Sequence, residues 1–320
     1  MATVNTVLGP RETSQLGFTL MHEHIISRSL GVRENWPELF DREAILARAV
    51  EQLREAEASG VGTIVDLTTV DLGRDVRFVQ DTARQVGLNV IVATGIWRDV
   101  PRYFQVRSPD VAAGVFVRDI TEGIQGTDIK AAIIKNASDD TSMTPAQQVA
   151  FRASARAHRQ TGIPISTHTN SHNQAGLDQQ RVFLDEGVDL TRVVIGHSGD
   201  TLNFDYLQTL LDRGSTIGMD RFGLDQFGPM KMLTTPERVG VIAELCRRGY
   251  ANQMVLSHDA SCYLDWRDPN AGPHTWPNWR MTHIPLDVVP ALRQAGVSEA
   301  QIERMTVSNP RAFFERQGAY

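Results

Sequence analysis

Four histidines, one aspartate and one lysine are set apart by the runs they terminate. His22 and His24 follow Leu20 and Met21. Lys135 follows Ile133 and Ile134, and His168 follows Ile165, Ser166 and Thr167. His197 follows Val194, Ile195 and Gly196, and Asp259 follows Leu256, Ser257 and His258. His22 and His24 lie two apart, so in a strand both imidazoles face one side, as two nitrogens on one metal would. Alone, such a pair is a weak sign, because surface pairs and core histidines are commoner. His168 alone or His197 alone is weaker still, since each fits a hydrogen-bonded core histidine. Together, four of the nine histidines and an aspartate at the ends of apolar runs form a far stronger pattern. Nitrogen and carboxylate donors of this kind suit zinc, cobalt, manganese or iron.

Lys135 is the odd member. Only three of the 32 basic residues are lysines, Lys130, Lys135 and Lys231. A protonated amine repels a cation. One reading is a lysine whose stem runs along apolar surface to a solvated head, or one paired with an acid. The other is a neutral amine that has captured carbon dioxide as a carbamate, a carboxylate on a long arm able to bridge two ions. Four histidines and one aspartate carry little negative charge for two divalent ions. A bridging carbamate and a bridging hydroxide would offset part of that excess.

These residues require particular elements to carry them. Eight apolar runs centre near Leu20, Val65, Ile91, Ile133, Ile165, Val194, Ile217 and Val255. Helical segments separate them, many ending at a glycine: Gly60, Gly87, Gly162, Gly187, Gly214 and Gly249. Glycine just past a helix end takes the left-handed conformation without a Cβ penalty. The runs are continuous rather than alternating, as parallel strands covered by helices are, and the series reads as βαβ units. Residues from runs one, four, five, six and eight can converge only if the sheet closes, because closure makes the first and last strands neighbours. The C-terminal ends of strands are where such barrels hold their active sites. The expected fold is therefore α/β, a (β/α)8 TIM barrel. Residues 1–320 are expected to form a single domain, since no linker or composition shift divides them. The two longest irregular stretches, 222–236 and 260–285, follow the last two strands, and such loops usually carry function.

Composition narrows the classes. With 41% hydrophobic and 22% charged residues, the chain is neither disordered, collagen-like nor a coiled coil. No window approaches ~18 consecutive apolar residues, so no membrane-spanning helix and no membrane partner are expected. A net charge of −6 argues against nucleic acid as a partner. Cys246 and Cys262 make no disulfide framework, which fits a reducing compartment. The start lacks a basic, apolar leader, so the cytoplasm is the expected location.

The motifs His22-Glu23-His24, Ile134-Lys135, Thr167-His168-Thr169, Gly196-His197-Ser198 and Ser257-His258-Asp259, in this order, resemble those of the phosphotriesterase family of the amidohydrolase superfamily. The resemblance runs from about Val7 to Phe314. Within the family the chain is most similar to the phosphotriesterase-like lactonases, through Gly31 to Pro37, Gly73-Arg74-Asp75, Glu122 to Gly126, Asn170 to Asn173, Asp220 to Gly223 and Leu264-Asp265-Trp266. The resemblance implies a barrel with a short N-terminal β hairpin and two divalent ions. His22, His24 and Asp259 would hold the more buried ion, His168 and His197 the exposed one, and carbamylated Lys135 would bridge both. It also implies a homodimer.

Further positions carry expectations. Glu23 lies between two ligands and is expected to support the structure. Asp200 either orients a proton relay from Asp259 or caps the next helix. Arg221 stands where lactonases carry arginine and phosphotriesterases histidine; it supports the mouth of the site or pairs with Asp220 or Asp225. Trp266 and Trp279 either line an acyl channel or pack the last loop. Trp97 departs from the lactonase pattern, in which many members have tyrosine; it offers an apolar wall and an indole N–H. His158 is expected on a solvated helix face, and His172, His274 and His283 have no assigned role.

The expected function is hydrolysis of lactones, N-acyl-homoserine lactones foremost, with Asp259 as proton acceptor and weaker action on phosphotriesters. The small-molecule substrate would thus be a lactone or ester. The alternatives are a dedicated organophosphate triesterase and a non-catalytic barrel that holds a ligand.

Overall fold

Short β-branched runs bounded by helix ends become strands. The computed structural model describes residues 2–227, 230–266, 276–316 and 318–320. An antiparallel hairpin comes first, β1 (Thr3–Thr6) with β2 (Gly9–Glu12). The strands β3 (Phe18–Ser27), β4 (Val61–Asp66), β5 (Asn89–Ile96), β6 (Ile133–Ser138), β7 (Ile165–Thr169), β8 (Val193–Ile195) and β9 (Thr216–Met219) follow. After a small antiparallel pair, β10 (Gln226–Phe227) and β11 (Met230–Lys231), come β12 (Met254–Leu256) and β13 (Ser261–Leu264). The eight expected centres fall in β3 to β9 and in β12.

Neighbouring strands are parallel, in the order β12-β9-β8-β7-β6-β5-β4-β3-β13. The sheet closes as a (β/α)8 barrel where the end of β12 meets β3. There Asp259 N donates to His22 O at 3.0 Å and His24 N to Ala260 O at 2.8 Å. Residues 261–264, expected as loop, instead form β13, with Ser261 opposite His24 and Leu264 opposite Ser27. The left-handed Asp259, φ +55°, turns the chain so that it resumes extended alongside β3.

Helix ends follow local chemistry. The helix Pro145–Thr161 opens on a capping box between Thr144 and Gln147 and closes on left-handed Gly162, φ +74°. Gly87 does not follow that rule and is absent from the left-handed glycines. A Cβ there would meet only the end of the flexible Glu57 side chain, whose carboxylate accepts from Gly87 N at 3.1 Å.

Apolar side chains form two layers. Val65, Ile91, Ile133, Val194 and Val255 fill the barrel interior together with Val4, Leu16, Phe313 and Phe314. The last four come from the hairpin segment and from the helix Asn309–Glu315, so both chain termini help fill this inner core. The larger layer lies between strands and helices, with Ile64, Ile134, Ile165, Ile195 and Ile217 facing outward. This alternation leaves the C-terminal strand ends for polar groups. Among the described residues no helix is long and apolar enough to cross a membrane.

Candidate metal centre

Strand geometry aims the polar residues inward, with three local departures from simple alternation. In β3, Leu20 pairs with Ile64 and Glu23 with Asp66, so one extra residue bulges out of register. The bulge lets Met21 join the inner apolar layer while His22 and His24 face the centre. His197 and Asp259 lie just past β8 and β12 with φ +56° and +55°. This left-handed backbone is disfavoured for residues other than glycine. Both side chains turn in as a result. Lys135 and His168 follow ordinary alternation from Ile133 and Ser166.

All six expected ligands come together. Lys135 Nζ lies 3.1 Å from His22 Nε2. Asp259 Oδ1 lies 3.3 Å from His22 Nε2 and 3.2 Å from His24 Nε2. Asp259 Oδ2 lies 3.7 Å from His197 Nε2. His168 Nδ1 lies 2.9 Å from His197 Nε2. The donor atoms of His22, His197 and Asp259 all fall within 4.8 Å of one another, and among the described residues this is the cluster that could hold an ion. Lys135 is 1% exposed and pressed against Gly95 of β5, φ +116°, where a Cβ would collide with the Lys135 carbonyl oxygen.

The protonation states suit a cation. Burial lowers His22 to about 4, with the Lys135 charge adding to the effect. Burial likewise lowers His168 and takes His197 well down, where Arg221 adds to it. For Asp259 burial works the other way, but His22, His197 and Arg221 outweigh it and hold the carboxylate well below its ordinary range. Burial brings Lys135 down to about 8 against the pull of Asp259 and Asp220. Neutral imidazoles and an ionised carboxylate are the forms that bind metal, so the cluster of His22, His197 and Asp259 fits a divalent ion.

Around these donors lies a ring of supporting contacts. Asp220, 2% exposed, meets His22 Nδ1 at 2.9 Å and His197 Nδ1 at 3.0 Å, one through each oxygen. That fixes both rings with Nε2 toward the centre. Asp220 is therefore an anchor for two histidines and not the partner of Arg221. Arg221 instead spans Asp259 Oδ2, 3.1 Å from its Nε, and Asp200 Oδ2, 3.0 Å from its Nη1. Asp200 is held again by Arg238 Nη2 at 2.7 Å. The helix Phe204–Asp212 is capped by Asn203, so Asp200 is free of that duty. Glu23 points away from the centre and accepts from Ser257 Oγ, His258 N, His258 Nδ1 and Ala260 N at 2.7–3.0 Å.

A cavity of about 410 Å³ opens over the donors. Its walls include Leu72, Trp97, Leu224, Met232, Leu264, Trp266 and Trp279. Trp97 stands edge-on to His168 with centroids 5.5 Å apart, and its backbone N donates to Asp71 Oδ1 at 2.9 Å. Trp279 also donates to His258 O at 2.8 Å, while the Trp266 side chain is largely exposed. His158 is not solvated: it is fully buried between Ile163 O and the Tyr320 hydroxyl, each 2.7 Å away. His172 lines the cavity, His283 bonds Thr235 and Asp287, and His274 lies outside the described residues.

The family model described as "Phosphotriesterase family" matches residues 2–314. The chain is 47% identical to "Phosphotriesterase homology protein" of Mycobacterium tuberculosis, covering 100% of both chains. It is 41% identical to "Aryldialkylphosphatase" of Saccharolobus solfataricus, covering 95% of this chain and 96% of that one. The solved structure of the phosphotriesterase from Mycobacterium tuberculosis superposes with a TM-score of 0.94 at 46% identity, covering 99% of this chain and 100% of that one.

Proposed function

Because the chain belongs to the phosphotriesterase family and is a metal-dependent hydrolase, we propose that it opens lactones, N-acyl-homoserine lactones foremost. The observation that carries this reading is the cavity itself: metal-binding donors at its floor, apolar side chains along its wall. A molecule with one polar reacting end and one apolar chain matches that division. The centre would hold two ions, zinc, cobalt, manganese or iron. His22, His24 and Asp259 would hold the first, His168 and His197 the second, and Lys135 would bridge them as a carbamate.

Bound divalent ions would supply a hydroxide at neutral pH and polarise the oxygen of the scissile group. The chain's own residues do the rest. Lys135, its ammonium weakened by burial, would lose one proton to give the amine. The amine nitrogen would bond to the carbon of carbon dioxide as one C=O bond opens to a carboxylate, and the second nitrogen proton would leave to solvent. Asp259 accepts the proton of the attacking hydroxide and returns it to the leaving alkoxide. Arg221, itself anchored by Asp200, holds the Asp259 carboxylate in place, and Trp97 walls the substrate against His168. Trp266 contacts the acyl chain at the mouth.

A second reading is a dedicated organophosphate triesterase, and the comparisons lean toward it. The names of the relatives at 47% and 41% identity refer to phosphotriesters and aryldialkylphosphates. Trp97, with no phenolic hydroxyl, agrees with it. A non-catalytic barrel is set aside by family membership and the donor set. On either reading the substrate is a small neutral ester, without nucleic acid or membrane as partner. The chain would act as a homodimer in the cytoplasm, each copy a single domain.

The deciding experiment measures kcat/KM for metal-reconstituted protein on lactones of varied ring and chain, a phosphotriester and a carboxylic ester. Acyl lactones should give the highest values. A phosphotriester value above every lactone value would replace the first reading with the second.

A further inference from the structure

Each histidine of the centre has its outward nitrogen tied to a partner, and one partner differs from the others. His22 and His197 share buried Asp220, and His24 Nδ1 meets Thr68 Oγ1 at 2.9 Å. Those three rings present Nε2 to the centre. His168 is turned round: its Nδ1 faces His197 at 2.9 Å, and its Nε2 meets Asp139 Oδ1 at 2.8 Å. Thr68 and Asp220 are buried, whereas the Asp139 side chain is 26% exposed.

Asp139 is also where three loops meet. It follows β6 directly. Its second oxygen lies 3.3 Å from Arg98 Nη1, on the segment after β5, and the Arg98 side chain is 58% exposed. Its carbonyl accepts from Asn173 Nδ2 at 3.0 Å, on the loop after β7. The partner of His168 is thus held by a surface cation next to Trp97, at the edge of the substrate cavity.

An imidazole offers a lone pair at one nitrogen only when its proton sits on the other. A carboxylate on the outward nitrogen selects that tautomer and raises the basicity of the inward one. We propose that Asp139 is a positioning residue: it keeps the His168 proton on Nε2, leaves the Nδ1 lone pair toward the centre, and thereby sets how tightly the second ion is held. Arg98 keeps the carboxylate in place. The proposal rests on the reading that His168 holds an ion, and its test separates the two.

Two measurements are needed on wild type, Asp139→Ala, Asp139→Asn and Arg98→Ala. Nitrogen NMR of the His168 ring in metal-free protein reports the tautomer without reference to metal. Chelator competition with zinc then gives the dissociation constant of each ion. In Asp139→Ala the ring should become a mixture of tautomers, and the weaker constant should rise about 10–100-fold, the usual effect of losing such a partner. The tighter constant should not move. Asp139→Asn keeps an acceptor oxygen but no charge, so it should fall between wild type and Asp139→Ala; Arg98→Ala should act in the same direction by a smaller factor. Two ions in every variant with unchanged tautomer and constants would overturn the proposal and leave the two-ion reading standing. A wild type that takes up fewer than two ions, with its tautomer intact, would overturn that reading and the affinity role with it.

Discussion

Glu23 Oε1 lies 2.7 Å from His258 Nδ1, joining the strand that opens the barrel to the segment that completes it. Both side chains are fully buried. Four donors converge on the Glu23 carboxylate, all from residues 257–260, which include Asp259. Glu23→Ala would leave those donors unmatched. Leaving a buried donor unmatched costs about 1–3 kcal/mol. Thermal denaturation of metal-loaded protein should show that loss, together with weaker metal retention. A variant with wild-type stability and full metal content would show that the cross-link is dispensable.

Lys135→Ala removes the proposed bridge. Metal content and turnover should both collapse, and short carboxylic acids should partly restore them by entering the vacated space as a carboxylate. Elemental analysis before and after addition reads the result. Normal metal content and rate in Lys135→Ala would end the carbamate model, and about one ion per fully active wild-type chain would end the binuclear one.

Asp259→Asn preserves shape and removes the basic carboxylate. Its kcat should fall by roughly 10²–10⁴-fold, the scale of general acid–base catalysis. Metal loss would mimic that fall, so occupancy is measured on the same sample. Retention of both ions and of most of the rate would take Asp259 out of the proton transfer.

Trp97 makes no bond to a donor nitrogen and stands edge-on to His168. Trp97→Tyr should therefore shift the ratio of lactone to phosphotriester activity without abolishing either. Along an acyl series, each fully buried methylene adds ~0.8 kcal/mol, so two should raise kcat/KM roughly tenfold until the cavity is full. A flat chain-length profile in the wild type would remove the apolar wall from substrate recognition.

His158, outside the candidate metal centre, should give a pH dependence of its own. Burial pushes its pKa below the ordinary histidine value. As pH falls the unfolded chain takes up this proton first. The stabilisation is complete above about pH 6.5 and is lost as pH drops below it. Melting temperatures measured from about pH 7 to 5 should fall less in His158→Gln than in wild type, once the neutral-pH offset is removed. Parallel curves would mean that His158 does not contribute to the acid sensitivity.

Much of this was legible in residue order, and the exceptions have physical causes. The eight strands follow from continuous apolar runs, and the donors follow from polar residues at their ends. The β3 bulge and the left-handed His197 and Asp259 leave no periodic trace, yet they decide where those side chains point. Asp220 and Arg221 are neighbours in sequence, which suggests a local ion pair. Alternation instead sends Asp220 inward to two histidines, and Arg221 reaches Asp200 and Asp259. Residues 261–264 read as loop because a strand of four residues after a tight turn carries no pattern of its own. His158 read as solvated because its partner Tyr320 lies 162 positions away.

Gly95 lies opposite Lys135 in the β5–β6 pairing, has no side chain to offer the site, and leaves no room for a Cβ beside the Lys135 carbonyl. Its consequence lies in inheritance. Positions 95 and 135 are not free to change separately, because any side chain at 95 displaces the strand that carries the lysine. A codon-randomised library at position 95, selected for turnover, would return glycine alone. Lineages that diverge in substrate would be rewritten around the cavity mouth, at Trp97, Leu224 or Trp266, while this chemically silent position stayed as closed to change as any ligand.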